Sequence, residues 1–200
     1  MSRLDVIEPD DMSAEQQRVY SEIVSGPRGA IHGRSIGLSG PFNAWIRSPS
    51  LADHAQQLGS FLRFRSQLPA RLSELAIILV GRHMNAAFEF AAHAPLAITA
   101  GLSEQIVDAI RTRQSPQFDG ADEAVVHAFA SALLQTHQVD DATYAQALEL
   151  FGEVGVVELV AIIGYYSLVS LTLNTFRVPL RDGMSDPFAD AAPQPADGAG

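Results

Sequence analysis

The sequence predicts an all-α fold in a single domain, on three observations. From residue 51 onward apolar side chains recur three and four positions apart, the spacing that lines one face of a helix. No stretch alternates apolar and polar residues between turn signals, as a half-buried strand would. The 200 residues, with 47% hydrophobic content and 18% charge, are enough for one sizeable core.

Taken in order, Ser13-Ala-Glu-Gln16 reads as a capping box, since the serine hydroxyl and the glutamine amide can satisfy each other's free backbone N–H groups. It opens a helix to about Ser25, which Gly26-Pro27 ends. Residues 26–41 hold five glycines and two prolines with Arg28, His32 and Arg34 among them, a composition that suits either a loop lying close over a ligand or a solvent-exposed connector. Pro41-Phe-Asn-Ala-Trp45 leads to Ser48-Pro49, where proline sits at a helix start, and Leu51, Ala55, Leu58, Phe61 and Leu62 carry that helix to about Ser66. Leu68-Pro69 restarts a helix through Ile77, Ile78 and Val80, and Ala94-Pro95 with Gly101 punctuates the next segment, Pro95 kinking or beginning an element. Ser103 caps another helix, which stops near Arg111 to Arg113, where positive charge suits the helix C-terminus. Ala121 to Gln135 and Asp141 to Phe151 give two more helices, and Gly152 to Leu173 a long apolar one. This all-α domain spans residues 1–181. Residues 182–200, rich in Pro, Ala, Asp and Gly, hold nothing to pack a core and read as a flexible tail.

Composition removes several chemistries. With no cysteine there is no redox dithiol, thiolate nucleophile or thiolate metal site. With no lysine there is no Schiff base, pyridoxal anchor or P-loop. All thirteen basic residues are arginine, and against twenty-three acids the net charge of −10 opposes binding to nucleic acid or an anionic membrane surface. The N-terminal residues lack the apolar core of a signal peptide, so a cytoplasmic location is expected. Val154 to Leu173 is long enough to span a membrane, but Glu158, Gly164-Tyr165-Tyr166 and the lack of flanking basic clusters favour a buried core helix. Catalysis is left to carboxylates, histidines, hydroxyls and arginines.

Glu89 and His93 stand four apart, so on a helix they share a face within hydrogen-bonding reach. A carboxylate beside an imidazole orients the ring and raises its basicity. Phe88, Phe90 and the alanines 86, 87, 91 and 92 surround Glu89, and a charge in apolar surroundings needs a reason.

Three segments carry a resemblance: Arg71-Leu-Ser-Glu74-Leu-Ala-Ile-Ile-Leu, the Glu89-x-x-x-His93 pair, and Pro95-Leu-Ala-x-x-Ala-Gly101-Leu-Ser. Together they resemble the carboxymuconolactone decarboxylase and alkyl hydroperoxidase D-like family, over about Asn43 to Arg181. The resemblance implies an alkyl hydroperoxidase D-like helical bundle assembled as trimers or hexamers. Its peroxidase-like branch keeps two cysteines three apart between a glutamate and a histidine. Aligned on Glu74 and His93, those positions hold Ala86 and Glu89, which disfavours peroxidase activity, whereas the decarboxylase branch carries a Glu-x-x-x-His pair that Glu89 and His93 match. The resemblance thus implies a lyase that needs no cofactor, decarboxylating a carboxylated lactone from aromatic catabolism.

On that reading His93 is the general acid/base, Glu89 its proton-sharing partner and Glu74 a second relay carboxylate, with Arg82 the first candidate to anchor a substrate carboxylate. His83 either lines the pocket or makes a helix-end hydrogen bond. His32, Trp45 and Tyr165 are further candidates to shape the binding site, although aromatic residues such as Trp45 and Tyr165 more often belong to cores or interfaces. His54, His127 and His137 have no second ligand at metal spacing, so no catalytic metal is expected. One straight helix from 74 to 93 would hold Glu74 and Glu89 about 22 Å apart, at about 1.5 Å per residue. A shared site therefore requires a break, expected at Arg82 to Asn85, or a neighbouring subunit. The same Glu-His pair also suits an isomerase, a hydratase or a lactone hydrolase, and the scaffold alone suits a ligand-binding oligomer without catalysis. Self-association is expected in every case, because the apolar Gly152 to Leu173 stretch is long for a chain of this size to bury alone.

Overall fold

The structure, a computed structural model, describes residues 1–27 and 38–190; His32, Arg28 and Arg34 lie outside the described residues. Every regular element among them is helical. After a single 3-10 turn at Pro9–Asp11 come α1 (Ala14–Ser25), α2 (Phe42–Trp45), α3 (Pro49–Phe64), α4 (Ala70–His83), α5 (Ala87–Thr99), α6 (Glu104–Thr112), α7 (Ala121–Thr136) and α8 (Asp141–Phe176). Both halves of the Ser13–Gln16 capping box form, and Ser103 and Asp140 cap α6 and α8 through their side chains.

Helix α4 is the axis of the bundle. Every residue from Leu72 to Arg82 is buried, so no face of it meets solvent, and α5, α7 and α8 pack around it. Its first turn is pinned to α7 by Arg71, which pairs with Asp122 at 2.6 Å and also with Glu123. Glu158 on α8, buried yet acidic, accepts hydrogen bonds from Ser66 Oγ (2.8 Å) and Gln67 N (2.7 Å), satisfying the connection that leads into α4. A buried acid inside the most apolar helix is thereby explained by its partners.

Helix α8 breaks at Gly152, whose φ of 65° is open to glycine at little cost, and this divides the amphipathic Asp141 to Phe151 from the apolar run beyond. More than half of its most apolar 18-residue window is buried against α4 and α7. The remaining face is left open: beyond the break Val154, Val157, Val160, Leu168 and Leu171 are all exposed along one helix side.

The interruption the sequence requires between Glu74 and Glu89 falls at Met84 to Ala86. Asn85 takes φ 48°, a left-handed conformation that asparagine tolerates better than most residues. Ala86 N then bonds Gly81 O at 2.8 Å and Asn85 N bonds Arg82 O at 3.2 Å, the paired bonds that close a helix end. Asn85 Oδ1 also accepts from Arg82 Nη1 (2.6 Å) and Arg113 Nη2 (2.9 Å), tying the elbow to the C-terminal end of α6. Asn85→Val, which loses both bonds and places a branched side chain at positive φ, is expected to lower stability by about 1–3 kcal/mol in urea unfolding, and Asn85→Gly by about half as much.

Of the two roles open to Pro95, beginning an element is ruled out, since it lies inside α5, which continues to Thr99. One expectation needs correction. The chain after Arg181 is not free of the core: the Phe188 ring lies 5.2 Å from Phe90, the Arg82 guanidinium stacks 4.5 Å from Phe188, and Pro187 O accepts from Arg111 Nη1 at 3.2 Å. One aromatic residue in a polar segment is enough to dock it. Residues 191–200 lie outside the described residues.

Candidate active site

The elbow at Asn85 folds α5 back along α4, and this brings Glu74, from one helix, against His93, from the middle of the next. His93 Nδ1 donates to Glu74 Oε2 at 2.6 Å. On its other side, Nε2 lies 3.2 Å from Glu89 Oε1, one helical turn back on α5. That contact is an ion-pair distance without hydrogen-bond alignment, so Glu89 Oε1 accepts no hydrogen bond among the described residues although it is buried. All three residues are at most 9% exposed. The edge of the His93 ring meets Tyr166 with centroids 5.2 Å apart, and Tyr166 in turn meets Tyr165 at 5.2 Å.

Two buried carboxylates on one imidazole decide its charge. Burial alone would drive His93 toward the neutral form, but Glu74 and then Glu89 outweigh it and push its pKa up to about 9. At neutral pH the ring is therefore an imidazolium with a proton on each nitrogen, so its first chemical capacity is to give a proton. Tyr166 stays a neutral phenol, because burial pushes it well above its ordinary value; Arg63 nearby opposes this, while Glu89 and Glu74 add to it.

His93 and Glu89 open on a cavity of about 70 Å³, whereas Glu74 stands behind the ring and does not line it. By volume this is room for a handful of waters or one compact molecule. Phe88, Leu96, Tyr165 and Val169 form its apolar wall, and Arg63 and Arg181 bring two cations to it. Ser39 to Pro41 form the rim. At Gly40, with φ 67°, a Cβ would come 3.3 Å from the Phe88 ring, so a side chain there would both strain the backbone and press on the ring.

The expected site residues divide on this geometry. Glu74, Glu89, His93 and Tyr165 come together. Trp45 stands one layer behind, its Nε1 donating to Thr172 Oγ1 at 3.1 Å and its ring meeting Tyr165 edge-on at 6.1 Å. Arg82 does not reach the cavity: its Nε donates to Arg111 O at 2.7 Å and the rest of the group holds Asn85 and Phe188, which makes it the brace of the elbow rather than a substrate anchor. His83 faces a separate, more open depression with Arg113 and His127, and burial, then Arg113 and His137, lower its pKa. His32 lies outside the described residues. No three His, Asp or Glu side chains among the described residues are grouped to hold a metal.

Arg63, Arg181 and Phe88 were not legible as site residues. Arg63 sits on a helix whose arginines, by default, extend their charge to solvent. Arg181 marked only the end of the apolar sequence. The one signal available was that α3 places Arg63 one position after Leu62, at the margin of its buried face.

No protein-family model and no curated protein matches the sequence. Solved structures do match it. The crystal structure of an alkylhydroperoxidase AhpD core, a peroxidase-related protein from Ralstonia eutropha JMP134, superposes with a TM-score of 0.71 at 14% identity, covering 94% of each chain. A protein of unknown function from Agrobacterium tumefaciens, named as a candidate antioxidant-defence AhpD protein, gives 0.61 at 18% identity over 72% of this chain and 99% of its own.

Proposed function

We propose that this chain, with its AhpD-like fold, is an acid–base lyase that decarboxylates a small carboxylated lactone without a redox centre. The observation that carries the reading is the imidazolium of His93, clamped between Glu74 and Glu89 at the wall of a compact cavity. Loss of carbon dioxide alpha or vinylogous to a lactone carbonyl leaves the bonding pair delocalised as an enolate, which needs a positive charge nearby and a proton at one carbon. The His93 imidazolium supplies both. Its Nε2 proton goes to carbon, the ring becomes neutral, and Glu74 holds it in place through Nδ1 while a solvent proton returns by way of Glu89. The resemblance of the Glu74, Glu89 and His93 segments to the decarboxylase branch supports the same reaction, and the missing cysteines disfavour a peroxidase.

Carboxylated butenolides incubated in heavy water provide the test. Release of one carbon dioxide per turnover with one deuterium gained at the ring carbon is the expected result; deuterium exchange without carbon dioxide would move the assignment to an isomerase. We also propose that the working form is a homo-oligomer, trimeric or hexameric as the resemblance implies. The exposed seam Val154, Val157, Val160, Leu168 and Leu171 on α8 supports a second copy as the partner.

A further inference from the structure

Two guanidinium groups share the His93 cavity, and neither is ion-paired with a carboxylate among the described residues. Arg63 comes from α3 and Arg181 from the segment after α8, so two distant parts of the chain deliver the same charge to one place. Among the described residues the ion pairs are made by Arg18, Arg71, Arg111 and His93, and neither Arg63 nor Arg181 forms one. Arg181 is nevertheless held. Its Nε donates to Ser39 Oγ at 2.8 Å and its guanidinium lies 5.1 Å from the centre of the Phe88 ring, so the group is fixed by its stem side while its terminal nitrogens stay available to a ligand. The Arg63 guanidinium lies 5.3 Å from the Phe64 ring.

Bringing two like charges into a half-buried cavity is unfavourable unless an anion joins them. Burial, opposed by Glu89 and reinforced by Arg63, weakens the hold of Arg181 on its proton, as expected for a cation awaiting a partner. The charges can be counted. Glu74 and Glu89 contribute two negatives, and His93, Arg63 and Arg181 three positives, so one positive charge is in surplus and one bound carboxylate balances it.

We propose that Arg63 and Arg181 form a carboxylate-binding subsite of this cavity, gripping an acid group that stays on the substrate while the reacting carbon faces His93. The direction of the reacting carbon rests on the acid–base reading of His93; the binding of the carboxylate does not. A carboxylate held by two guanidiniums is stabilised as it stands, so it is the handle and not the group that leaves. This fixes the ligand class as a compact, flat, unsaturated carboxylate, its body against Phe88, Tyr165 and Tyr166. Ser39 is a positioning residue, acting through Arg181. If the reaction is a decarboxylation, its substrate carries a second acid group, whereas a monoacid held here undergoes proton transfer only.

The full chain is titrated calorimetrically at low ionic strength with 2-furoate and, for comparison, the neutral isostere 2-furamide. Furoate is expected to bind and furamide at least about 10-fold more weakly. Arg63→Gln and Arg181→Gln should each weaken furoate by about 10- to 100-fold, as loss of a charge-assisted hydrogen bond does, with furamide unmoved. Arg63→Lys should recover part of the loss, since it keeps the charge but not the two-pronged geometry. Ser39→Ala, which keeps every charge, should weaken furoate about threefold and so tests the subsite even if Arg181→Gln unfolds. Equal binding of furoate and furamide, or furoate binding unchanged in both glutamine variants, overturns the subsite. Carbon dioxide release and deuterium gain are read separately, so the subsite and the lyase reading fail independently.

Discussion

His93→Gln is expected to slow turnover of a cognate substrate by about 10²- to 10⁴-fold, the contribution of a positioned proton donor. Its effect on the fold should be as large. Without the imidazolium, Glu74 and Glu89 face each other as two buried negative charges with no cation between them, and breaking such a set costs about 3–5 kcal/mol. The His93→Gln variant should therefore unfold at a lower urea concentration than wild type at neutral pH. Urea midpoints of wild type and variant from mild acid to mild base decide the matter. A variant as stable as wild type across that range would mean that His93 is not the cation of the site.

The stability of the wild-type protein should depend on pH through the same imidazolium. His93 titrates near 6.5 in the unfolded chain and at about 9 in the folded one. A raised pKa means that the folded state holds the proton more tightly, so the stabilisation is fully present below about pH 6.5 and is lost as pH rises through about 9. At about 1.4 kcal/mol per unit the loss is up to about 3 kcal/mol. Glu74, Glu89 and Tyr166 face the ring and Arg63 stands across the cavity; the phenol is held neutral throughout this window, so the imidazolium is the group that titrates there. Turnover limited by the acid should fall over the same limb, with the midpoint near about 9 in the pH profile of kcat. Glu74→Gln removes the carboxylate that raises His93 most, and should move that midpoint down. A midpoint unmoved by Glu74→Gln would break the link between the buried pair and the proton donor.

The features legible in the sequence were local, and the others were assembled from distant segments. The Ser13–Gln16 box lies within four residues and contains both of its partners, so its outcome followed from the sequence. The same holds for the break before Glu89: the requirement that Glu74 reach the pair, combined with the rise per residue of a helix, left few places for it. Arg82 was misleading because a guanidinium beside an apolar run has two outlets, a ligand or the backbone of a neighbouring turn, and the choice depends on where α6 and Phe188 pack. Arg63 and Arg181 join the cavity only after α3 and the segment beyond α8 have docked around it. Phe188 was hidden for a related reason, since composition averages over a segment and a single ring decides docking.

The elbow at Asn85 fixes more than the direction of α5. Each residue added or removed inside α5 between Ala87 and His93 would turn His93 by about 100° relative to the elbow and shift it by about 1.5 Å, swinging it off Glu74 altogether. The nineteen-residue separation of Glu74 and His93 is thus a property of the site and not of the alphabet around it. Length changes between these two positions should be forbidden even where nearly every other residue has drifted, and that interval is the ruler by which distant sequences sharing this chemistry can be sorted from those sharing only the bundle.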